Sequence, residues 1–484
     1  MAGRRTKIVA TAGPATDDER VLRDVIAAGA DSVRVSLAHG TVDDARRRIK
    51  SVQQAAAEAG RPVGVFVDLP GPKLRVRSFP ADGAYLREGS TVALLEGPEV
   101  KGSDSSTIAV EGDGVVAQLH PGDRVALGDG GVSVVVERVD ASVGAATAVV
   151  RSSGRLLGRP GLHLPASRIS VSTPTADDLR LLEGVLDTGI DAVAVSFVRS
   201  ADDIVRTRKA CGDSGALVIA KIETQEAVDA LDDIEQAADV IMVARGDLGV
   251  RCRLEDVPIY QKRIIRRGIF YGRPVITATQ MLESMVQAPT PTRAEVSDVA
   301  NAVFDGTSAL MLSGETAIGH DPALAVRTMS TIAARAEAEF DHTAWSEQLM
   351  ADQSERLLRA TPTRRVTEAT SSAAFRAAID AEAVLIIACT NSGTTARVIA
   401  RFRPPVPILA ATPSEQVLRQ LTLSWGVEPV LSQAHTTTDD IVWFAVKEAV
   451  DRGLARADDV VAVLVGDPHD PQPATDTLRL IRVR

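Results

Sequence analysis

Cysteine is scarce: the 484 residues hold three, Cys211, Cys252 and Cys389, far apart and without ligand-like spacing. That excludes a disulfide framework or a cysteine zinc site and leaves reduced thiols. Aromatic residues make up only 3%, yet 45% are apolar and 24% charged, a composition rich enough in Ala, Val and Leu to exclude a disordered chain. No Lys/Arg run forms a basic arm and the net charge is −10, which argues against a nucleic-acid surface. No stretch approaches the roughly 18 apolar residues of a membrane span, and the start MAGRRTKIVATAGP lacks a signal-peptide core. The expectation is a cytoplasmic protein that binds no membrane. Neither GxxxxGK[ST] nor GxGxxG after a strand is present, so an anionic substrate needs placed Arg and Lys side chains and a metal instead.

What the chain does have is repetition of strand and helix. It exceeds the roughly 250 to 300 residues at which single cores stop growing, so two or three domains are expected. Short β-branched apolar runs occur at Lys7–Ala12, Ser32–Leu37, Pro62–Asp68, Ala192–Phe197, Leu217–Glu223, Val240–Asp247, Pro274–Thr279 and Ala309–Glu315. Helical periodicity separates most of them, as at Asp18–Ala28 and Val257–Tyr271, and eight such units imply a parallel (β/α)8 barrel in an α/β chain. More than 120 residues part the third run from the fourth. Within them a Gly- and Val-rich stretch with period-two alternation and the turn pairs Glu88-Gly89, Pro121-Gly122 and Asp129-Gly130 predicts an inserted β cap domain over the active face. After Phe340, strands at Ala383–Cys389, Pro407–Ala411 and Val460–Val465 with a helix at Thr394–Arg403 predict a C-terminal α/β domain. The expected partition is 1–70 and 169–340 for the barrel, 71–168 for the cap and 341–484 for the last domain.

Polar groups collect at the ends of these runs: Arg34, Asp68, Ser196, Lys221 with Glu223, Arg245 with Asp247, Thr279, and Ser313 with Glu315. A barrel brings all such ends to one face. Lys221 and Glu223 stand two apart, hence on one side of a strand, and the next run closes on Ala244-Arg245-Gly246-Asp247. Two carboxylates on neighbouring strands suit a hard divalent cation, Mg2+ or Mn2+, beside an ammonium that stabilises a transferring phosphoryl group. A buried Lys–carboxylate ion pair is the other reading of the same residues. Gly246 and Gly249 flank a strand-to-helix turn whose free amides suit a substrate carboxylate.

At this point the motifs become specific. Val275-Ile-Thr-Ala-Thr-Gln-Met-Leu-Glu-Ser-Met285, Pro291-Thr-Arg-Ala-Glu295, Asp298-Val-Ala-Asn-Ala-Val303, Met242-Val-Ala-Arg-Gly-Asp-Leu-Gly249 and Met311-Leu-Ser-Gly-Glu-Thr-Ala317 resemble the pyruvate kinase family. Lys7-Ile-Val-Ala-Thr-Ala-Gly-Pro14, the Gly71-Pro72 turn and Thr390-Asn-Ser-Gly-Thr-Thr-Ala-Arg397 extend the resemblance over all three domains. It implies a (β/α)8 barrel with a β-barrel cap and an α/β regulatory domain, a homotetramer, and transfer of phosphate from phosphoenolpyruvate to ADP in glycolysis. Carried over, Lys221 stabilises the phosphoryl group, Glu223 and Asp247 hold the divalent ion, and Arg34 binds the substrate phosphate. Ala244, Arg245, Gly246, Asp247 and Thr279 surround the substrate, and Ser313 and Glu315 match a proton relay. His39, Arg75 and Arg159 fall on the nucleotide side. Thr390, Asn391, Ser392, Gly393, Thr394 and Thr395 resemble a sugar-phosphate effector loop, although a plain αβ connection fits them equally.

The departures are informative. Ser36 and Ala38 stand where the family has Asn and Ser, Leu69-Pro70 replace Thr-Lys, and Pro160 replaces a cap lysine. The monovalent-ion region is reduced to Ser36, Asp68 and Lys73, and Lys73 replaces the usual Glu, so potassium independence is expected. The alternatives are a weakened paralogue with a regulatory or binding role and a related metal-dependent, enolate-forming lyase.

Overall fold

In the computed structural model, residues 4–72, 74–112, 114–128, 130–164, 172–470 and 474–484 are described. Eight strands, β1 (Lys7–Ala12), β2 (Ser32–Ser36), β3 (Gly64–Asp68), β4 (Ala192–Val195), β5 (Leu217–Ile222), β6 (Val240–Ala244), β7 (Val275–Ala278) and β8 (Ala309–Met311), close into a barrel. Each pairs in parallel with its sequence neighbours, and β1 pairs with β8. The strands form where doubly buried β-branched residues run together, and helices such as Glu19–Ala27 and Val257–Phe270 return the chain where apolar residues recur at helical spacing. Several strands end earlier than their apolar runs imply: Arg245–Arg251 is a helix containing Asp247, and Gly314–Ala317 is a short helix containing Glu315. The chain turns from strand into helix at these points, which presents the carboxylates from helix starts rather than from strands.

Inside the barrel, Val9, Phe66, Ala194, Ile219, Met242 and Ile276 interdigitate. Leu423, from the C-terminal domain, belongs to the same cluster. The contact is anchored by Ser32 Oγ to Thr422 Oγ1 at 2.8 Å and by Lys7 Nζ donating to the Val427 carbonyl at 2.8 Å. The C-terminal domain therefore stoppers the barrel's N-terminal end, opposite the polar strand ends.

The cap leaves after β3 and comprises a six-stranded sheet and a two-stranded ribbon around its own core of Val, Leu and Ile. Gly71, at its point of departure, has φ +67°, and a Cβ there would lie 2.7 Å from the Phe197 ring and 3.0 Å from Ser196, so glycine is needed for both reasons. The predicted cap limit at 168 and Asp129 lie outside the described residues. The last domain is a five-stranded sheet of Val427–Leu431, Ile408–Thr412, Leu385–Cys389, Val460–Val465 and Thr477–Arg482 in spatial order, the final strand antiparallel. Two of these, Val427–Leu431 and Thr477–Arg482, are not apparent as apolar runs because exposed residues interrupt them. Among the described residues no helix is long and apolar enough to cross a membrane.

Phe66 is 1% exposed and fills the barrel centre. Phe66→Ala is expected to destabilise the chain by about 3–5 kcal/mol through the lost contacts and residual cavity, read from urea denaturation; a shift near zero would mean that this core is not what holds the barrel.

Candidate active site

The C-terminal ends of the barrel strands gather one charged network. Lys221, inward-facing on β5, is buried. Its Nζ donates to Ser196 Oγ at 2.6 Å and to Asp68 Oδ1 at 3.2 Å, and stands 2.9 Å from Glu223 Oε1. Arg34, on β2 beside the strand of Asp68, donates from Nε to Asp68 Oδ2 at 2.6 Å. Asp68 therefore divides its two oxygens between two cations, while the Ser196 hydroxyl donates a hydrogen bond to the Leu69 carbonyl at 2.7 Å. Parallel register places these groups together: Arg34 lies beside Phe66, Ala194 beside Asp68 and Lys221 beside Met242 across the paired strands.

The electrostatics follow from burial. For Lys221, burial opposes the charged form, but Asp68 and Glu223 outweigh it and the ammonium is held above its ordinary range. Burial likewise opposes ionisation of Asp68, and Lys221 and Arg34 outweigh it, so this carboxylate stays charged. Glu223 is different. Burial pushes it up to about 7, Lys221 pulls the other way, and the neighbouring Asp247 charge adds to the rise. Glu223 Oε2 accepts the Phe197 N–H at 2.6 Å, and the buried Oε1 is held by the Lys221 ammonium at 2.9 Å. A second carboxylate, Asp247, acts on Glu223 as well, an excess of negative charge that a cation relieves. The donor set fits a divalent ion, since both groups are hard oxygen ligands and two protein carboxylates leave coordination sites for substrate oxygens. Among the described residues no group of three or more His, Cys, Asp or Glu forms a metal cluster; Glu223 and Asp247 are the pair that could hold such an ion.

Backbone strain concentrates at the same mouth. Phe197 has φ 57°, Thr279 φ 68° and Gln280 φ 53°, all left-handed conformations uncommon for residues with side chains. Thr279 Oγ1 accepts the Gly246 N–H at 2.7 Å and donates to the Ala278 carbonyl at 2.6 Å, which ties the end of β7 to the start of the helix Arg245–Arg251, beside Ala244. Arg245 directs its guanidinium away from Lys221, to Asp298 at 2.7 Å and the Thr279 carbonyl at 2.7 Å, and so braces that loop. Glu315 is fully buried and accepts the Leu282 and Ser313 amides at 3.0 and 2.7 Å.

The remaining sequence candidates lie further out. His39 is exposed on the loop after β2. In the cap, Arg75 donates to the Arg159 carbonyl at 3.2 Å, and the Arg159 guanidinium pairs with Glu111 at 2.6 Å, so these two belong together. Ser36 Oγ accepts the Ala38 N–H at 3.3 Å, and Lys73 lies outside the described residues. In the C-terminal domain, Gly393 has φ 78° and donates its N–H to Thr390 Oγ1 at 3.0 Å; Ser392 and Thr394 hydroxyls meet at 2.9 Å, and Thr395 reaches Thr475 at 2.6 Å. Thr390 to Ser392, Thr394 and Thr395 line a cavity of about 520 Å³. Two neighbours escaped sequence reasoning. Phe197 supplies the amide that orients Glu223, and Arg251 lies 4.5 Å over the Phe197 ring, within electrostatic reach of Glu223 and Asp247. Neither belongs to a readable spacing pattern.

Known proteins agree with this architecture. The family model for the pyruvate kinase barrel domain matches residues 3–326, and that for the pyruvate kinase alpha/beta domain matches residues 368–481. A protein named pyruvate kinase from Methylorubrum extorquens is 40% identical over 99% of this chain and 97% of its own length. Namesakes from Agrobacterium vitis, at 40% identity over 99% and 98%, and Clostridium acetobutylicum, at 35% over 99% of both chains, are similar throughout as well. With both domain types matched in order and relatives aligned end to end, the chain belongs to the pyruvate kinase family.

Proposed function

We propose that this chain transfers the phosphoryl group of phosphoenolpyruvate to ADP, yielding pyruvate and ATP, at the barrel mouth around Lys221. The observation that carries the reading is a buried ammonium, Lys221, held at 2.9 Å from Glu223 and 3.2 Å from Asp68, with the Asp247 carboxylate acting on both Lys221 and Glu223. When bound between Glu223 and Asp247, Mg2+ or Mn2+ supplies charge neutralisation for phosphoryl and enolate oxygens. Arg34 receives the substrate phosphate, and Asp68 holds Arg34 and Lys221 in one geometry so that neither swings to solvent. Lys221 neutralises charge on the phosphoryl group in flight. The helix start at Ala244, Arg245, Gly246 and Asp247 faces the substrate acid, and Thr279 stands where the enolate carbon takes its proton. Ser313 belongs to the proton path, and Glu315, with both oxygens engaged by amides, keeps Ser313 in place. His39, Arg75 and Arg159 serve ADP from the cap side, where closure excludes water.

Potassium independence is part of the same proposal. Asp68 has one oxygen on Arg34 and the other on Lys221, and Ser36 accepts a local amide, so this region offers few free oxygens to a monovalent ion. The loop Thr390–Thr395 beside its cavity is proposed as the site of a sugar-phosphate effector. A cytoplasmic homotetramer is proposed as the working form. It is supported by the exposed Trp443 and Phe444 and by the strand Thr477–Arg482, which stands at the edge of its sheet.

Lys221→Met is expected to cut kcat by roughly a thousandfold, on the scale of losing a preorganised charge at the reacting group, with an unchanged circular dichroism spectrum; near-normal turnover in a coupled ADP assay would remove the proposed mechanism. Turnover in potassium- and sodium-free buffer should equal that with added potassium, and a strict potassium requirement would end the claim. Sedimentation velocity should give a mass four times that of the chain; a monomer at assay concentration would refute the assembly.

A further inference from the structure

The seam between the barrel and the C-terminal domain encloses a second concentration of positive charge, remote from Lys221. A cavity of about 180 Å³ is lined by Arg273, Arg356 and Arg364, together with Phe270, Thr361 and a single carboxylate, Glu368. That carboxylate is already committed. Arg401 donates from Nη1 to Glu368 Oε1 at 3.0 Å and from Nη2 to Oε2, while Arg364 and Arg356 stand at 3.5 and 3.9 Å from it. Three guanidinium charges thus share one carboxylate. Arg273 donates to the backbone carbonyls of Glu235 and Gln236, with Asp239 as its electrostatic partner, and Arg364 donates to that of Tyr271.

Arg356 is the anomaly. It is 5% exposed, and its Nε, Nη1 and Nη2 all lack a hydrogen-bond partner. Asp352 and Glu355 are within electrostatic range, but neither accepts from it. Burial lowers its pKa only to about 10, so at neutral pH the group remains charged. At close range Arg356 is offset only by Glu368 at 3.9 Å and the Phe270 ring at 5.7 Å, with no hydrogen bond from any of its donors; a buried cation with idle donors is costly, and a guanidinium fork matches a tetrahedral oxyanion. A second element points to the same place. The helix Pro362–Asp380 begins at this cavity, its N-cap Thr361 forming part of the wall, so the positive end of a long helix dipole is added to the arginines.

We propose that this interdomain cavity is an anion site that takes a phosphate group, held by Arg356 and Arg364 against the N-terminus of the helix Pro362–Asp380. It is separate from the active site and independent of the activity proposed above. Thr361 and Arg364 also line the larger cavity beside Thr390–Thr395, so the two sites share a wall without sharing Arg356.

Calorimetric titration of the full chain with inorganic phosphate, in EDTA so that no divalent ion loads the barrel mouth, tests this. One saturable event per chain is expected. It should persist in Lys221→Met and in Thr390→Val, and weaken at least tenfold in Arg356→Met. Absence of saturable binding, or equal binding by wild type and Arg356→Met, would overturn the proposal. Glycerol 3-phosphate distinguishes the sources: competition with phosphate identifies an organic monoester as an acceptable ligand, and its failure to compete restricts the site to the free ion. Should Arg356→Met not fold, crystals of the wild type soaked in tungstate decide the matter. A heavy-atom peak in this cavity is expected, and peaks confined to other places would refute it.

Discussion

A lysine ammonium buried at the end of a barrel strand must be paid for by neighbours, and those neighbours define the site. Lys221 keeps its charge because Asp68, two staves away, and Glu223, at the end of its own strand, converge on it, and Asp68 keeps its own because Arg34 completes the pairing. These residues are distant in sequence, and only a closed sheet with fixed parallel register brings them within 3.2 Å. Glu223 meets the Lys221 ammonium while the neighbouring Asp247 charge opposes its ionisation, so the mouth carries more carboxylate than this ammonium balances. That excess is what the proposed cation site rests on.

Strain surrounds this mouth. Phe197 adopts a left-handed backbone and in doing so points its amide at Glu223, while Thr279, also left-handed, fastens itself to Gly246. Such conformations each cost about 1–3 kcal/mol and persist only where packing over-determines them. Here the ring of Phe197 is pinned beneath Arg251 and against the departure of the cap at Gly71. Rigidity of the barrel core is thus converted into fixed orientation at its rim.

The barrel was legible in the sequence because parallel strands covered on both faces must be nearly continuously apolar, as Val240–Ala244 is and as Leu217–Ile222 is but for Lys221. The pairing of Lys221 with Glu223 followed from strand parity, and Asp247 from its place at the end of the next run. Strand ends were less legible. An apolar run does not show where the chain passes into a helix, at Arg245 and at Gly314, and so does not show that Asp247 and Glu315 are presented from helices. The edge strand Thr477–Arg482 was hidden by its alternating exposure, and Arg356 by a polar connector that reads as solvated until the two domains close over it. What the sequence concealed was in each case a property of docking: which side chains lose water when elements meet.

Leu423 occupies the floor of the barrel, yet it enters from the domain at the other end of the chain. A domain that merely hung from the catalytic core by a linker could be gained, lost or exchanged without touching the core's interior. Here its removal would leave Ile219, Met242 and their neighbours facing water from below, so the last third of the sequence is inherited as part of the catalytic unit rather than as a detachable accessory.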